Sequence, residues 1–324
     1  MQPLETLGIA PLQDDLERVE EALTRSVGSE DPFLGDVAAH LVKAGGKRLR
    51  PVLTLCTAYA ASGADPASER AITGGVAVEL VHLGSLYHDD VIDEAQTRRG
   101  VPSVNARWNN IVAILAGDYL LARASDLAAS LGADVAGLLA QTIGELCRGQ
   151  VEELQHLFDV DRTDDEYFSA IGGKTAALFG TACRIGGIVS GIDAEGLDSM
   201  TAFGQHVGTC FQIVDDVLDV TGSDASLGKP AGNDLLEGVY TLPVIYAIER
   251  TPELREVLGR KLEPDQLERA RKLVRSDGAI DTALDAARDH AARADKVLSS
   301  RSGLDPEVTG GLRRLVDDLV TRDS

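Results

Sequence analysis

Two short segments carry the residues best suited to chemistry: Asp89-Asp90-Val91-Ile92-Asp93 and Asp215-Asp216-Val217-Leu218-Asp219. Both read Asp-Asp-x-x-Asp, and both close a strongly apolar run. On a helix, residues four apart share a face and lie about 6 Å apart along the axis. Asp89 therefore stacks with Asp93, and Asp215 with Asp219. Like charges at that spacing destabilise a helix by roughly a few tenths of a kcal/mol. The apolar neighbours raise the cost, because buried unpaired carboxylates are heavily penalised. A cation must neutralise them. Magnesium fits, being a hard ion that takes carboxylate oxygens together with substrate phosphate oxygens. One such motif among 52 acidic residues is what chance supplies at a solvated helix end; two on matching apolar runs are not. Neither segment has the loop glycine or terminal glutamate of a calcium EF-hand.

Cationic residues stand near glycines or expected helix breaks. Gly45-Gly46-Lys47-Arg48-Leu49-Arg50-Pro51 offers a basic cluster on a glycine-loosened turn, and Arg98-Arg99-Gly100 follows the first aspartate motif. Lys174-Thr175 and Lys229 are the other candidates. Singly, such groups are ordinary surface charges. Together, arginine forks and lysine point charges around a metal-bound anion are what a diphosphate requires. Gly173-Lys174-Thr175 resembles the tail of a P-loop, but Phe168 occupies the place of its first glycine and no strand precedes it.

Helices must position these groups. Leu12, Leu16, Val19, Leu23 and Val27 recur at steps of three and four, predicting an amphipathic helix that breaks at Asp31-Pro32. Further helices are predicted over 34–43, 52–62 (opened by Pro51), 71–94, 106–131, 134–158, 164–189, 195–220, 234–249, 264–299 and 306–322. The apolar run 71–94 is too long for a strand and reads as a buried helix. No stretch alternates convincingly as a strand, and no Pro/Ser-rich seam divides the chain. The expectation is one all-α domain over residues 1–324, a large helical bundle with a central active-site cavity.

Composition narrows the function. A formal charge of −21 over 324 residues repels nucleic-acid phosphates and anionic membranes, so any anionic substrate needs local positive charge. The four cysteines, Cys56, Cys147, Cys183 and Cys210, form no CxxC pair, which fits buried thiols in a reducing cytoplasm rather than a zinc or dithiol site. The first residues lack the basic and apolar regions of a signal peptide, and no apolar run is long enough to span a bilayer.

In this order and spacing, GGKRLRP (45–51), ELVHLGSLYHDDVID (79–93), RRG (98–100), LAGDYLLARA (115–124), GKTAALF (173–179), FQIVDDVLDV (211–220) and GKPAGNDLLEG (228–238) are specific. The sequence resembles the trans-prenyl diphosphate synthases, the polyprenyl synthetase family, over nearly its whole length. The resemblance implies an all-α homodimer joining isopentenyl diphosphate head-to-tail to an allylic diphosphate (dimethylallyl, geranyl, farnesyl or geranylgeranyl). It implies that Asp89, Asp90 and Asp93 bind magnesium bridging the allylic diphosphate. Asp215 and Asp216 would hold a further ion, supported by Asp219 and Asp234, for three ions in all that manganese could replace. Arg98, Lys174, Thr175, Gln212 and Lys229 would contact the allylic diphosphate, and Lys47, Arg50, His82 and Arg99 isopentenyl diphosphate. His82 reads equally as a core histidine, and His88 as a residue orienting the first motif. Relatives often read EGKxTLP where this chain has Glu237-Gly238-Val239-Tyr240-Thr241-Leu242-Pro243, so a cation is missing at Val239.

One turn before the first motif, Ser85 and Gly84 are small where short-chain members place aromatic rings, and Tyr87 is expected to point elsewhere. The expected product is therefore C30–C50, of the kind used in quinone side chains, with farnesyl or geranylgeranyl length as the alternative. A terpene cyclase is disfavoured by the 4% aromatic content and by the second complete aspartate motif. A non-catalytic partner subunit is disfavoured because both triads are intact.

Overall fold

The helix ending in the first aspartate motif, Glu69–Ile92, organises its surroundings. Ser68 caps it, its side chain accepting the Ala71 N–H. Beyond that cap apolar residues are spread around the helix, and Ala71, Val76, Val78, Leu80, Val81 and Leu83 are all buried, as expected of a helix enclosed by others. The computed structural model describes residues 7–63, 65–222, 231–276, 278–301 and 303–321. They form two compact units.

The first unit takes residues from Met1–Ile143, Leu178–Gly204 and Val297–Leu315. Its helices begin with α1 (Leu12–Ser26), α2 (Pro32–Ala38), α3 (His40–Lys43), α4 (Leu49–Ser62) and α5 (Glu69–Ile92). A two-residue hairpin follows, β1 (Thr97–Arg98) antiparallel to β2 (Val101–Pro102), then α6 (Val104–Arg107) and α7 (Asn110–Leu131). Helix α5 packs closely against α7. A Cβ on Gly84 would lie 3.1 Å from the Gly117 carbonyl, and one on Gly117 would overlap the His88 ring. Paired glycines let the two backbones approach, and dispersion between them offsets the propensity cost.

The second unit takes residues from Gly144–Ala177, Gln205–Lys296 and Val316–Ser324. It holds the C-terminal part of α8 (Ala133–Gln155), then α9 (Asp164–Ile171), closed at its start by a reciprocal Thr163–Glu166 capping box. A π-helical turn, Gly172–Ala176, leads into α10 (Ala177–Ser190). The unit also holds the motif-bearing end of α11 (Ala194–Thr221), α12 (Asn233–Glu237), α13 (Leu242–Arg250), α14 (Glu253–Val257), α15 (Pro264–Ser276) and most of α16 (Ala279–Ser300). The last helix, α17 (Pro306–Thr321), closes the described chain. Leu235, Tyr240, Val244, Ile248, Leu254 and Val274 form part of this unit's apolar core.

The all-α expectation holds, with local corrections. The helix predicted over 34–43 begins at Pro32, because the Asp31 side chain accepts the Phe33 and Leu34 N–H groups, and it divides at Ala39. Leu49, not Val52, begins α4, since left-handed Arg48 sets the break ahead of Pro51. The stretch 106–131 is interrupted at Trp108-Asn109, where the Asn109 side chain caps α7. The helix predicted over 164–189 contains the π turn. That over 234–249 stops at Gly238 and restarts after Thr241, and that over 264–299 divides at Gly278, whose φ is +79°. The hairpin was not foreseen, because two-residue strands carry no alternation to read. Among the described residues, no helix is long and apolar enough to cross a membrane.

Candidate active site

In the first unit, α5 ends at Ile92 and Asp93 is its C-cap, its N–H donating to the Asp89 carbonyl at 2.8 Å. Asp89 and Asp93 are half-buried, whereas Asp90 has no exposed surface. The Arg98 Nε donates to Asp90 Oδ1 at 2.7 Å, and the Asn105 amide donates to the Asp90 carbonyl at 2.9 Å. Asp90 Oδ2 is buried without a hydrogen-bond partner. Burial pushes the Asp90 carboxyl above its ordinary range, against the opposing pull of Arg98.

The hairpin explains how adjacent arginines reach different targets. Arg99 and Gly100 both have positive φ, +54° and +76°, the geometry of a tight two-residue turn. Arg98, the last strand residue, points at Asp90. Arg99 turns away and donates to the carbonyls of Leu41 and Gly45, so it clamps the glycine turn that opens the basic segment. Behind that turn, buried Arg48 pairs with Glu79 at 2.9 Å and with Glu20 at 2.5 Å. The Arg50 guanidinium lies 4.7 Å from the centroid of the Phe179 ring. His82 is half-buried; desolvation and the charges of Arg50, Arg99, Arg48 and Arg98 hold its imidazole well below the usual histidine range. It is neutral at physiological pH. Lys47 is exposed at the edge of this group. The first motif and the basic residues Arg50, His82, Arg98 and Arg99 thus belong to one neighbourhood of one unit.

His88 does not orient the aspartates as expected. Its ring rests on Gly117 and lies 3.2 Å from the Ile114 carbonyl and 3.4 Å from Asp118. Gly84 is also occupied by helix packing, leaving half-buried Ser85 as the accessible small residue. Tyr87 points away from the motif, its hydroxyl donating to the Val37 and Ala38 carbonyls of α2.

The second unit repeats the pattern with different partners. Asp215 is half-buried, whereas Asp216 and Asp219 are buried. Asp216 accepts the Tyr167 hydroxyl at 2.6 Å and the Gln212 amide at 2.7 Å. Thr175 in turn donates to Gln212 at 2.7 Å. Burial pushes the Asp216 carboxyl up to about 7, with Asp215 and Glu153 adding like charge and the two hydrogen bonds working against the rise. The Tyr167 phenol is driven well above its ordinary range and remains a donor. Asp219 holds the start of α12: its side chain accepts the Asp234 N–H at 3.2 Å and its carbonyl the Gly232 N–H at 2.8 Å.

Lys174 sits on the π turn and pairs with Glu153 of α8. A Cβ on Gly149 would lie 2.3 Å from the Lys174 nitrogen, and one on Gly173 2.7 Å from the Glu145 carbonyl. Backbone contact between α8 and the turn therefore fixes both Lys174 and Thr175. Such a one-residue excess in a helix recurs at functional sites. Lys229 lies outside the described residues. Sequence reading missed Glu79, Asn105, Glu153 and Tyr167 as supports. Only Glu79 gave a signal, as the sole acidic residue between 71 and 88.

The donor set suits magnesium. It is all carboxylate oxygen, and the buried Asp90 Oδ2 is an acceptor with no hydrogen-bond partner. Among the described residues, no three acidic, histidine or cysteine side chains are grouped so as to hold an ion.

The polyprenyl synthetase family model matches residues 31–275. The nonaprenyl diphosphate synthase of Mycobacterium tuberculosis is 39% identical over 320 residues, 97% of this chain and 94% of that protein. Component 2 of the heptaprenyl diphosphate synthase of Geobacillus stearothermophilus is 46% identical over 238 residues, 73% of each chain. A crystal structure of a polyprenyl synthase from Caulobacter crescentus, complexed with calcium and isoprenyl diphosphate, superposes with a TM-score of 0.92 at 33% identity, covering 99% of this chain and 98% of that one. With both aspartate motifs in place on an all-α isoprenoid synthase fold, this chain is a prenyltransferase and belongs to the polyprenyl synthetase family.

Proposed function

We propose that the protein is an all-trans polyprenyl diphosphate synthase, extending an allylic diphosphate with isopentenyl diphosphate to a C30–C50 product. The observation that carries this reading is the pair of complete aspartate motifs, each with its middle carboxylate buried and held, in a chain matching a nonaprenyl synthase along 97% of its length. The family match runs from 31 to 275 through residues of both units, which supports treating the chain as one functional domain.

Asp89, Asp90, Asp93, Asp215, Asp216 and Asp219 would hold the magnesium ions, three in number, with manganese as a substitute. Bound there, the metal offsets negative charge developing on the leaving diphosphate. Lys174, Thr175, Gln212, Arg98 and Lys229 bind and orient the allylic diphosphate. Lys47, Arg50, Arg99 and neutral His82 bind isopentenyl diphosphate, with Arg48 and Glu79 stiffening the turn that presents them. The allylic carbon–oxygen bond breaks, and diphosphate leaves with the electron pair. The isopentenyl double bond attacks the resulting cation, a new carbon–carbon bond forms, and a proton passes to the departing diphosphate. An apolar surround keeps water from the cation.

Ser85, small and accessible, supports a product tail that continues past the first motif, while Tyr87 is tied back to α2. Ser85→Phe should shorten the product; an unchanged length would remove this basis for chain length. The exposed Ile111, Ile114 and Leu115 on one stretch of α7 support a homodimer. Three buried cysteines and one exposed, none in a disulfide, support a cytoplasmic setting.

The test is incubation of the purified chain with labelled isopentenyl diphosphate, magnesium and each of the dimethylallyl, geranyl, farnesyl and geranylgeranyl primers, followed by chromatography. Products of C30–C50 are expected. A C15 or C20 product would overturn the length, and cyclic hydrocarbons the reaction. The relative named as component 2 of a heptaprenyl synthase gives a second reading, in which a partner chain is required. Turnover by the chain alone would exclude it.

A further inference from the structure

Arg162 stands apart from every residue considered above. It lies in the loop between α8 and α9 and is only 4% exposed. Its Nη1 donates to the Tyr240 carbonyl at 3.0 Å, and its guanidinium carbon lies 5.7 Å from the Tyr167 ring centroid. The Nε and Nη2 groups have no hydrogen-bond partner, and among the described residues no carboxylate pairs with it. A buried guanidinium in this state is costly, so its charge must act on something nearby. The carboxylates whose fields it feels are Glu153, Asp216 and Glu166. Glu153 is already paired with Lys174, and Glu166 closes the α9 capping box.

Asp216 is the remaining recipient. The Tyr167 ring beneath Arg162 carries the hydroxyl that donates to Asp216. The Tyr240 carbonyl that anchors Arg162 belongs to the segment 237–243, which has no cation of its own. Phe158, in the same loop as Arg162, ties back to that segment by donating to the Gly238 carbonyl at 2.8 Å. One buried charge is thus fastened at one end to the chain following the second motif and laid at the other over the phenol that orients the motif.

We propose that Arg162 is a positioning residue for the second aspartate motif, fixing Tyr167 so that its hydroxyl aims Asp216 for metal binding. Arg162 acts through Tyr167. The inference rests on the reading of Asp216 as a magnesium ligand.

The test compares Arg162→Met, Arg162→Lys, Tyr167→Phe and the Arg162→Met/Tyr167→Phe double variant by magnesium titration of activity, with separate kcat and KM values for the two substrates and a melting curve for each protein. Arg162→Met should raise the magnesium concentration for half-activation about tenfold and lower kcat about tenfold, a change of about 1.4 kcal/mol, while leaving the isopentenyl diphosphate KM within about twofold. Arg162→Lys keeps the charge and should recover most of the loss. The double variant should be no worse than Tyr167→Phe alone, because both act through one hydroxyl. If Arg162→Met does not fold, Arg162→Lys must still show a magnesium shift smaller than that of Tyr167→Phe. A wild-type magnesium curve for folded Arg162→Met, or additive losses in the double variant, would overturn the inference. Asp216→Asn serves as the control: if it leaves magnesium activation intact, the metal reading fails and not the role of Arg162.

Discussion

The two aspartate motifs read alike, yet the protein holds their buried carboxylates in opposite ways. Asp90 is met by a cation, Arg98, while its other oxygen has no hydrogen-bond partner. Asp216 is met by neutral donors, Tyr167 and Gln212, that occupy both oxygens. A guanidinium partner favours the ionised carboxylate and so opposes the upward push of burial on Asp90. Neutral donors restrain the second less, and its carboxyl is carried up to about 7. The first motif thus meets burial with a fixed positive charge, whereas the second meets it with hydrogen bonds alone.

The largest effect should come from removing either buried carboxylate. Asp90→Asn and Asp216→Asn should each lower kcat by about 10³, as expected when charge stabilisation at a leaving group is lost; steady-state rates at saturating magnesium check this. A much milder loss for one of them would mean the motifs are not equal partners in ionisation. Exchanging the holders should separate them next. Arg98→Met leaves Asp90 buried without its cation and should cost about 2 kcal/mol of stability, after discounting for the partial exposure of Arg98, together with a large loss of rate. Tyr167→Phe removes one neutral hydrogen bond and should cost about 1 kcal/mol. Urea denaturation of the metal-free proteins measures both.

The pH response should separate them further. The Asp216 pKa in the fold lies above that of the unfolded chain. Its contribution is therefore fully present below the ordinary aspartate range and lost as pH rises through about 7. The metal-free protein should melt progressively lower between pH 5 and pH 8, and magnesium should restore more stability at pH 8 than at pH 5. Asp216→Asn should flatten most of that slope. The smallest effect is assigned to Thr175→Val, which removes the outermost donor of the chain ending on Asp216. A loss of about twofold to threefold in kcat/KM for the allylic substrate is expected, in line with one modest hydrogen bond.

Much of this was legible in the sequence because the chemistry is local. Two carboxylates at helical spacing in an apolar run demand a counter-charge wherever the fold sends them. The helices were legible for the same reason, as 3.6-residue periodicity needs no distant partner. What escaped was set by tertiary contact. Arg48 looked like one more cation in a basic segment, but Glu79, 31 residues later, takes it into the core. Tyr167 is an ordinary apolar position of α9 until Asp216 is brought to its hydroxyl. The π turn depends on Gly149 admitting the backbone of Lys174, a relation that no window around either residue contains. His88 shows the converse, since a histidine beside an acidic motif invites a functional role and is instead packed against Gly117.

The turn at Arg99-Gly100 has a consequence for how this sequence tolerates change. Neighbouring guanidiniums are sent to separate tasks by one reversal of the chain, so identity here is conferred by position along the pleat and not by side-chain type. Deleting Gly100 would keep both guanidiniums in the composition yet remove the reversal that sends them apart, leaving the acidic end of α5 without its counter-charge or the glycine turn without its clasp. Length at this bend is therefore held as tightly as residue type.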